Sequence, residues 1–314
     1  MANRNDRALD PAAFPVERAE VRDGLTLSFV RAGAGGYPLL LVHGWPETNR
    51  IWWRNIAPLA AAGFEVIVPD LRGFGDSGLA PDGFYDLAAH ARDMHALVHD
   101  VLGHDRCAAA GGDLGGGVIQ DLGLRFEGFV VRQCLFNTVL PLILDDYERA
   151  GIPREIPRET RAAADYFLRQ GREAGELAAE LDSDAKRRRY VAQFYGSRFW
   201  ATPGGFTREE VAFMTEPFAD ADKLRAGFGN YESALGARPL SEPPRFFERN
   251  PVPTLLLYGP DDHVIPRDYP ERCEVVFTER VGPLIVKRAG HFLQWERADV
   301  LNQTLIYFMR AGGK

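Results

Sequence analysis

Cysteine is scarce in this chain: three occur among 314 residues, Cys107, Cys134 and Cys273. Their number is odd and none belongs to a C-x-x-C pair, which argues against a disulfide framework and against a cysteine-rich zinc site. Cys107 and Cys134 fall in apolar, strand-like runs and read as buried, inert thiols. Long hydrophobic runs are also missing, and no stretch approaches the roughly 18–20 apolar residues needed to span a bilayer. The start of the chain, MANRNDRALDPAAFP, has mixed charges and no apolar core, so it does not read as a secretory leader, and a cytoplasmic location is the default expectation. Basic residues are the minority, 37 against 44 acidic, for a formal net charge of −7. That balance argues against nucleic acid or an anionic membrane as the main partner. There is no internal repeat and no low-complexity tract.

What is present is an ordinary globular balance, 46% hydrophobic and 26% charged. A chain of this length can bury a large core without staples, as one large domain or as a core with an insertion. Its first part alternates strand and helix patterns. Leu25–Arg31 reads as a half-buried strand, while Pro38–His43 and Glu65–Pro69 are short continuous apolar runs, as in strands covered on both faces. Arg106–Ala110 and Gln133–Phe136 read as further strands. Helical spacing covers Thr48–Ala61, Tyr85–Leu102 and Leu114 to about Phe126. This alternation predicts an α/β fold with a mostly parallel sheet. From 139 to 248 no buried strand is legible. The segment is rich in Ala, Arg, Glu and aromatics and broken at Pro153, Pro157, Gly171, Pro203-Gly204-Gly205 and Pro243-Pro244, so it reads as several helices. Strand patterns resume at Thr254–Tyr258 and Leu284–Lys287, before a last helix near Trp295–Arg310. The expected organisation is a core of 1–138 and 249–314 with a helical insertion at 139–248.

In parallel α/β sheets, chemistry gathers at the carboxyl ends of the strands. After the 106–110 strand stands Gly111-Gly112-Asp113-Leu114-Gly115-Gly116. Small residues two before, and two and three after, one polar residue are what a sharp strand-to-helix turn requires. Such a turn lifts Asp113 above the sheet, at a helix N-terminus that favours an anion. Taken alone, Asp113 is also readable as a helix N-cap. The glycines do not make a phosphate loop, because the GK[ST] ending is absent. The next two strand ends carry Asp261-Asp262 and then His291. Nucleophile, acid and histidine, each following a strand in that order, is the chain order of α/β-hydrolase triads.

These stretches together resemble one group. HGWP at 43–46, PDLRGFGDS at 69–77, GGDLGG at 111–116, GPDDHVIP at 259–266 and AGHFLQWE at 289–296 are similar to the α/β-hydrolase-fold epoxide hydrolases and haloalkane dehalogenases, and closest to the epoxide hydrolases. The resemblance implies an α/β-hydrolase fold with a mostly parallel eight-stranded sheet, and it makes the 139–248 insertion a helical cap. It implies that Asp113 attacks an sp³ carbon and forms an alkyl-enzyme ester. A carboxylate is already an anion at neutral pH and, unlike serine, needs no base for that step. His291 then activates the water that cleaves the ester, oriented by a carboxylate. The family spacing selects Asp262 over Asp261, with Pro266 in register. The backbone N–H groups of Trp45 and Leu114 are the implied oxyanion hole. Two cap tyrosines are implied as proton donors to the epoxide oxygen. Among Tyr147, Tyr166, Tyr190, Tyr195 and Tyr231, the best matches are Tyr166 in DYFLRQ and Tyr231 in FGNYES. The implied reaction is epoxide plus water to a vicinal diol, without cofactor or metal, on apolar rather than charged epoxides. The oligomeric state is open, a homodimer included.

Some residues depart from the group. Leu114 replaces the tryptophan that often follows the nucleophile and helps bind halide in dehalogenases, and it also replaces the arginine usual in fluoroacetate dehalogenases. LRQG replaces the usual Q-x-P after the first cap tyrosine. A dehalogenase using the same triad, and a non-catalytic binding protein of the same fold, are the alternatives. Three further features carry no function at this stage. His95 and His99 are four apart on a helix, but no third metal ligand is legible. The basic run at Lys186 to Arg189 reads as a solvated face. Trp52-Trp53 and Phe246-Phe247 read as packing between insertion and core.

Overall fold

The computed structural model describes residues 9–154 and 165–310. The break expected at Pro157 lies outside the described residues. Eight strands, β1 (Val16–Arg22), β2 (Leu25–Ala32), β3 (Tyr37–Val42), β4 (Phe64–Pro69), β5 (Cys107–Gly112), β6 (Val130–Thr138), β7 (Thr254–Tyr258) and β8 (Arg280–Ile285), form one sheet. Their order is β1-β2-β4-β3-β5-β6-β7-β8. The β1–β2 and β2–β4 pairs are antiparallel, and every later pair is parallel. The central strands β4, β5 and β7 are buried along their whole length, which is why they read as unbroken apolar runs rather than as alternation.

One expectation shifts at a sheet edge, one strand was not expected, and one helix is divided. The last strand runs Arg280–Ile285 rather than Leu284–Lys287, because β8 is an edge strand with mostly exposed residues and no continuous apolar signature. Strand β1, exposed along most of its length, shows no periodic burial and is not marked in the sequence. The single helix expected over Thr48–Ala61 is two pieces, a 3₁₀ turn Asn49–Trp52 and a helix Ile56–Ala61.

The PDLRGFGDS stretch is a structural brace. Asp70 is buried and accepts hydrogen bonds from Asn49 N at 2.7 Å, Ser28 Oγ at 2.9 Å and Asp76 N at 3.1 Å. Arg72, also buried, makes a two-pronged pair with Asp93 at 2.6 and 2.7 Å and reaches Asp82 at 2.9 Å. Buried charges persist where they are paired and hydrogen-bonded in this way.

Between β6 and β7 the described residues form helices and turns, including Asp165–Arg172, Asp184–Gly196, Arg208–Thr215, Ala221–Gly227 and Gly229–Ala234. The helix Arg208–Thr215 starts with a reciprocal cap between Thr207 and Glu210. An aromatic seam joins this segment to the sheet: Trp45 packs edge-on against Phe218, Phe228 and Tyr231 at centroid distances of 5.5, 5.7 and 6.0 Å. Trp53 packs between core and insertion as expected, against Phe14 and Phe213, whereas Trp52 packs within the core, against Phe136 of β6. Phe246 is buried, but Phe247 is exposed. The basic run is only partly a solvated face. Arg187 is buried and donates to the carbonyls of Ala219 and Leu181, because a long guanidinium side chain can satisfy two backbone acceptors at once. No described helix is long and apolar enough to cross a membrane.

Candidate active site

At the end of β5 the chain turns directly into the helix Asp113–Arg125. Asp113 adopts φ of +46°, a left-handed conformation that a side chain tolerates only when the surroundings enforce it. The neighbouring glycines show what enforces it. A Cβ on Gly115 would lie 2.3 Å from the Val42 carbonyl oxygen, and one on Gly116 would lie 2.4 Å from Thr138 Oγ1. The turn therefore closes only with glycine at these positions, and the carboxylate stands clear of the sheet.

The backbone N–H of Trp45 donates to Asp113 Oδ1 at 2.7 Å. The Leu114 N–H lies in the first turn of the helix, where an amide has no partner within the helix. His291 Nε2 is 3.3 Å from Asp113 Oδ2, and His291 Nδ1 is 2.8 Å from Asp262 Oδ2. Asp262 is fully buried, and its other oxygen accepts from Val264 N at 2.8 Å and Ile265 N at 3.2 Å. Asp261 points elsewhere, accepting from Thr202 Oγ1 at 2.5 Å. Burial works against a charged His291, but the adjacent Asp262 and Asp113 outweigh it and hold the imidazole well above its usual range.

The five tyrosines separate by what their hydroxyls do. Tyr147 donates to the Pro141 carbonyl at 2.7 Å and Tyr195 to the Pro46 carbonyl at 2.5 Å, so both are packing residues. Tyr190 accepts from Gln170 Nε2 at 2.9 Å. Tyr166 and Tyr231 stand together, ring centroids 5.8 Å apart and nearly perpendicular. Burial raises both phenols well above 10, and the negative charge of Asp113 adds to the rise in each. Trp200 closes the other side, its ring 4.6 Å from His291 and 5.0 Å from Tyr166.

Three supporting residues carry no signal in the sequence. Asn137, buried at the end of β6, donates to the Gly290 carbonyl at 2.7 Å and accepts from Gly259 N at 2.9 Å. One amide thereby fixes the two loops that bear Asp262 and His291. Glu296 accepts from Gly290 N at 2.5 Å and from Thr202 N at 3.2 Å, which ties the His291 loop to the helical segment. Glu47 is buried beside the site, accepting from Gly44 N at 2.6 Å and Gln294 Nε2 at 2.8 Å. A glutamate just past a strand reads as a surface residue, and only the two partners distinguish it.

Burial pushes Glu47 up to about 7, with the Asp113 charge adding to the rise. An acid whose pKa is higher folded than unfolded takes up a proton on folding, so its contribution to stability is full below about pH 4.5 and declines as pH rises through about 7. Glu47→Gln removes that titration, and Gln294 Oε1, buried without a partner, is available to accept from the new amide. The melting temperature of the variant is expected to fall less between pH 5 and pH 8 than that of the wild type, by the equivalent of about 2 kcal/mol. Parallel melting curves across that range would contradict it.

Elsewhere, the structure places Asp100 beside His95 and His99, with one ligand atom from each within 4.8 Å of the others, a third candidate ligand that the helical pattern did not reveal. His95 also stacks on Phe126 at 3.8 Å. A cleft of about 340 Å³ lined by Asn49, Asp70, Glu216 and Lys223, among others, contains none of the triad or tyrosine residues.

Comparison with known proteins agrees with this architecture. A family model described as the alpha/beta hydrolase fold matches residues 37–298. The chain is 29% identical over 289 residues to the soluble epoxide hydrolase of Corynebacterium sp. (strain C12), covering 91% of this chain and 94% of that protein. It is 28% identical to epoxide hydrolase A of Mycobacterium tuberculosis, covering 94% and 97%. It is also 27% identical to a haloalkane dehalogenase of Bradyrhizobium diazoefficiens, covering 94% of each chain. Among solved structures, the epoxide hydrolase CorEH superposes with a TM-score of 0.80 at 24% identity, covering 95% of this chain and 99% of that one. The chain belongs to the α/β-hydrolase fold family.

Proposed function

We propose that this protein is an epoxide hydrolase that converts an epoxide and water to a vicinal diol through an ester on Asp113. The observation that carries this reading is the placement of two buried phenols, Tyr166 and Tyr231, within the electrostatic reach of the Asp113 carboxylate. A carboxylate nucleophile with two O–H donors near it suits the opening of a strained C–O bond.

Asp113 attacks one epoxide carbon, the C–O bond breaks, and the oxygen takes a proton from a phenol. A phenol, even one raised by burial above its usual value, protonates a far more basic alkoxide. Ester formation then neutralises Asp113, one of the two anions that hold the proton on His291. The imidazole gives that proton up to solvent and, still oriented by Asp262, can then accept one from water. The hydroxide equivalent attacks the ester carbonyl, and the oxyanion is received by the Trp45 and Leu114 N–H groups. Collapse releases the diol, and the proton on His291 restores the phenol by way of solvent. The described part of residues 139–248 acts in this reading as the cap that supplies the tyrosines and Trp200. Leu114 beside the nucleophile offers no N–H side chain to a leaving halide, and no bound group in the mechanism requires a metal or cofactor.

Incubation with styrene oxide tests the reading, and the expected product is phenylethanediol. Halide release from a haloalkane without any diol formation would assign the chain to dehalogenation instead, and silence toward both would fit a binding protein. Tyr231→Phe is expected to lower the rate of ester formation by roughly 10²-fold while sparing hydrolysis of ester already formed. Unchanged ester formation in a single-turnover experiment would remove Tyr231 from the site.

A further inference from the structure

Gln170 is completely buried, and its Oε1 has no hydrogen-bond partner. A buried amide oxygen without a partner is costly, and this one, next to the phenol pair, can be satisfied by a donor from outside the protein. Gln170 lies four residues beyond Tyr166 in the helix Asp165–Arg172, so the two side chains share a face, about one 5.4 Å turn apart. Its Nε2 donates to the Tyr190 hydroxyl at 2.9 Å, which orients the amide and leaves Tyr190 its own proton to give. The Tyr190 phenol is close enough to add to the raised pKa of both Tyr166 and Tyr231. Gly171 packs so tightly on the Tyr231 backbone that a Cβ there would lie 2.7 Å from its carbonyl oxygen. Gln170 and Tyr190 therefore adjoin the phenol pair, and present one acceptor and one donor amid Phe194 and Phe228.

We propose that Gln170 and Tyr190 form a subsite for a hydroxyl group carried by the substrate, about one helical turn from the epoxide oxygen. A hydroxyl donates to Gln170 Oε1 and accepts from Tyr190. An ether can only accept, and an alkyl arm does neither. The substrate class is then a neutral hydroxyalkyl epoxide with a two- or three-carbon spacer, in place of a wholly apolar one. This rests on the epoxide hydrolase reading and narrows it.

The test compares 4,5-epoxypentan-1-ol with its methyl ether. Wild type is expected to prefer the alcohol by about tenfold in kcat/KM, the worth of one or two buried hydrogen bonds. In Gln170→Leu, the ratio of alcohol to ether is expected to collapse toward one, whereas Tyr190→Phe removes a donor that either oxygen can use and is expected to lower kcat/KM for both substrates. Because the ratio is taken within each variant, partial misfolding does not alter it. A ratio near one in wild type, or an equal ratio in wild type and Gln170→Leu, would overturn the subsite. A second arm needs no turnover. An amide carbonyl accepts from the two phenols, so binding of 5-hydroxypentanamide is compared with that of pentanamide by calorimetry. Tighter binding of the hydroxylated amide, lost in Gln170→Leu, supports the subsite even if styrene oxide is not hydrolysed and the reaction assignment fails. Equal binding of the two amides overturns the subsite whatever the enzyme does to epoxides.

Discussion

His291→Gln is expected to open one epoxide per molecule and then stop. The imidazole lies 3.3 Å from Asp113 and 2.8 Å from Asp262, and in the proposed sequence it acts only after the ester exists. Glutamine keeps the approximate shape but cannot take a proton from water. The first step needs only the Asp113 anion and a phenol, so it survives. The expected result with styrene oxide is stoichiometric loss of epoxide, little diol, and a protein heavier by one substrate. Steady turnover is expected to fall by roughly 10⁴-fold or more. Loss of activity without an adduct would place His291 in the first step and undo the division of labour between the two residues.

Asp113→Ala is expected to remove turnover altogether, to roughly 10⁴-fold or more below wild type. It should also leave no adduct, which distinguishes it from the histidine variant. Alanine retains the strain of a Cβ at φ of +46° but is smaller than aspartate and fits where it stood, so the fold is expected to persist. Diol formation at a substantial fraction of the wild-type rate in this variant, with the melting temperature retained, would mean that another group attacks the epoxide.

The parts of the molecule that sequence reveals are those where one physical demand dominates. Strands β3, β4 and β5 announce themselves because both of their faces are covered, and the glycines around Asp113 because any side chain would strike the Val42 backbone or Thr138. Edge strands β1 and β8 face solvent, so their apolar pattern is diluted, and one was missed and the other displaced. The triad residues are legible because each follows a strand. Asn137, Glu47 and Glu296 were not, because their importance lies in partners distant in sequence: Asn137 meets Gly259 and Gly290 through folding alone. The choice between Asp261 and Asp262 rested on family spacing, and the fold gives it a geometric basis, since only Asp262 lies against His291. The tyrosines are an intermediate case. Five were candidates by position, and the hydrogen bonds of Tyr147 and Tyr195 to backbone carbonyls set those two apart as packing residues from Tyr166 and Tyr231, which feel the Asp113 charge.

The central claim is that water enters the product by way of the Asp113 carboxyl group. A single turnover in water enriched in ¹⁸O, with enzyme in excess over styrene oxide, tests this directly. Because the water oxygen joins the ester carbonyl carbon and the diol leaves with an oxygen from Asp113, the first diol is predicted to be unlabelled and the peptide carrying Asp113 to gain ¹⁸O. Labelled diol in that first turnover, with Asp113 unlabelled, would mean that water attacks the epoxide itself and that no ester forms.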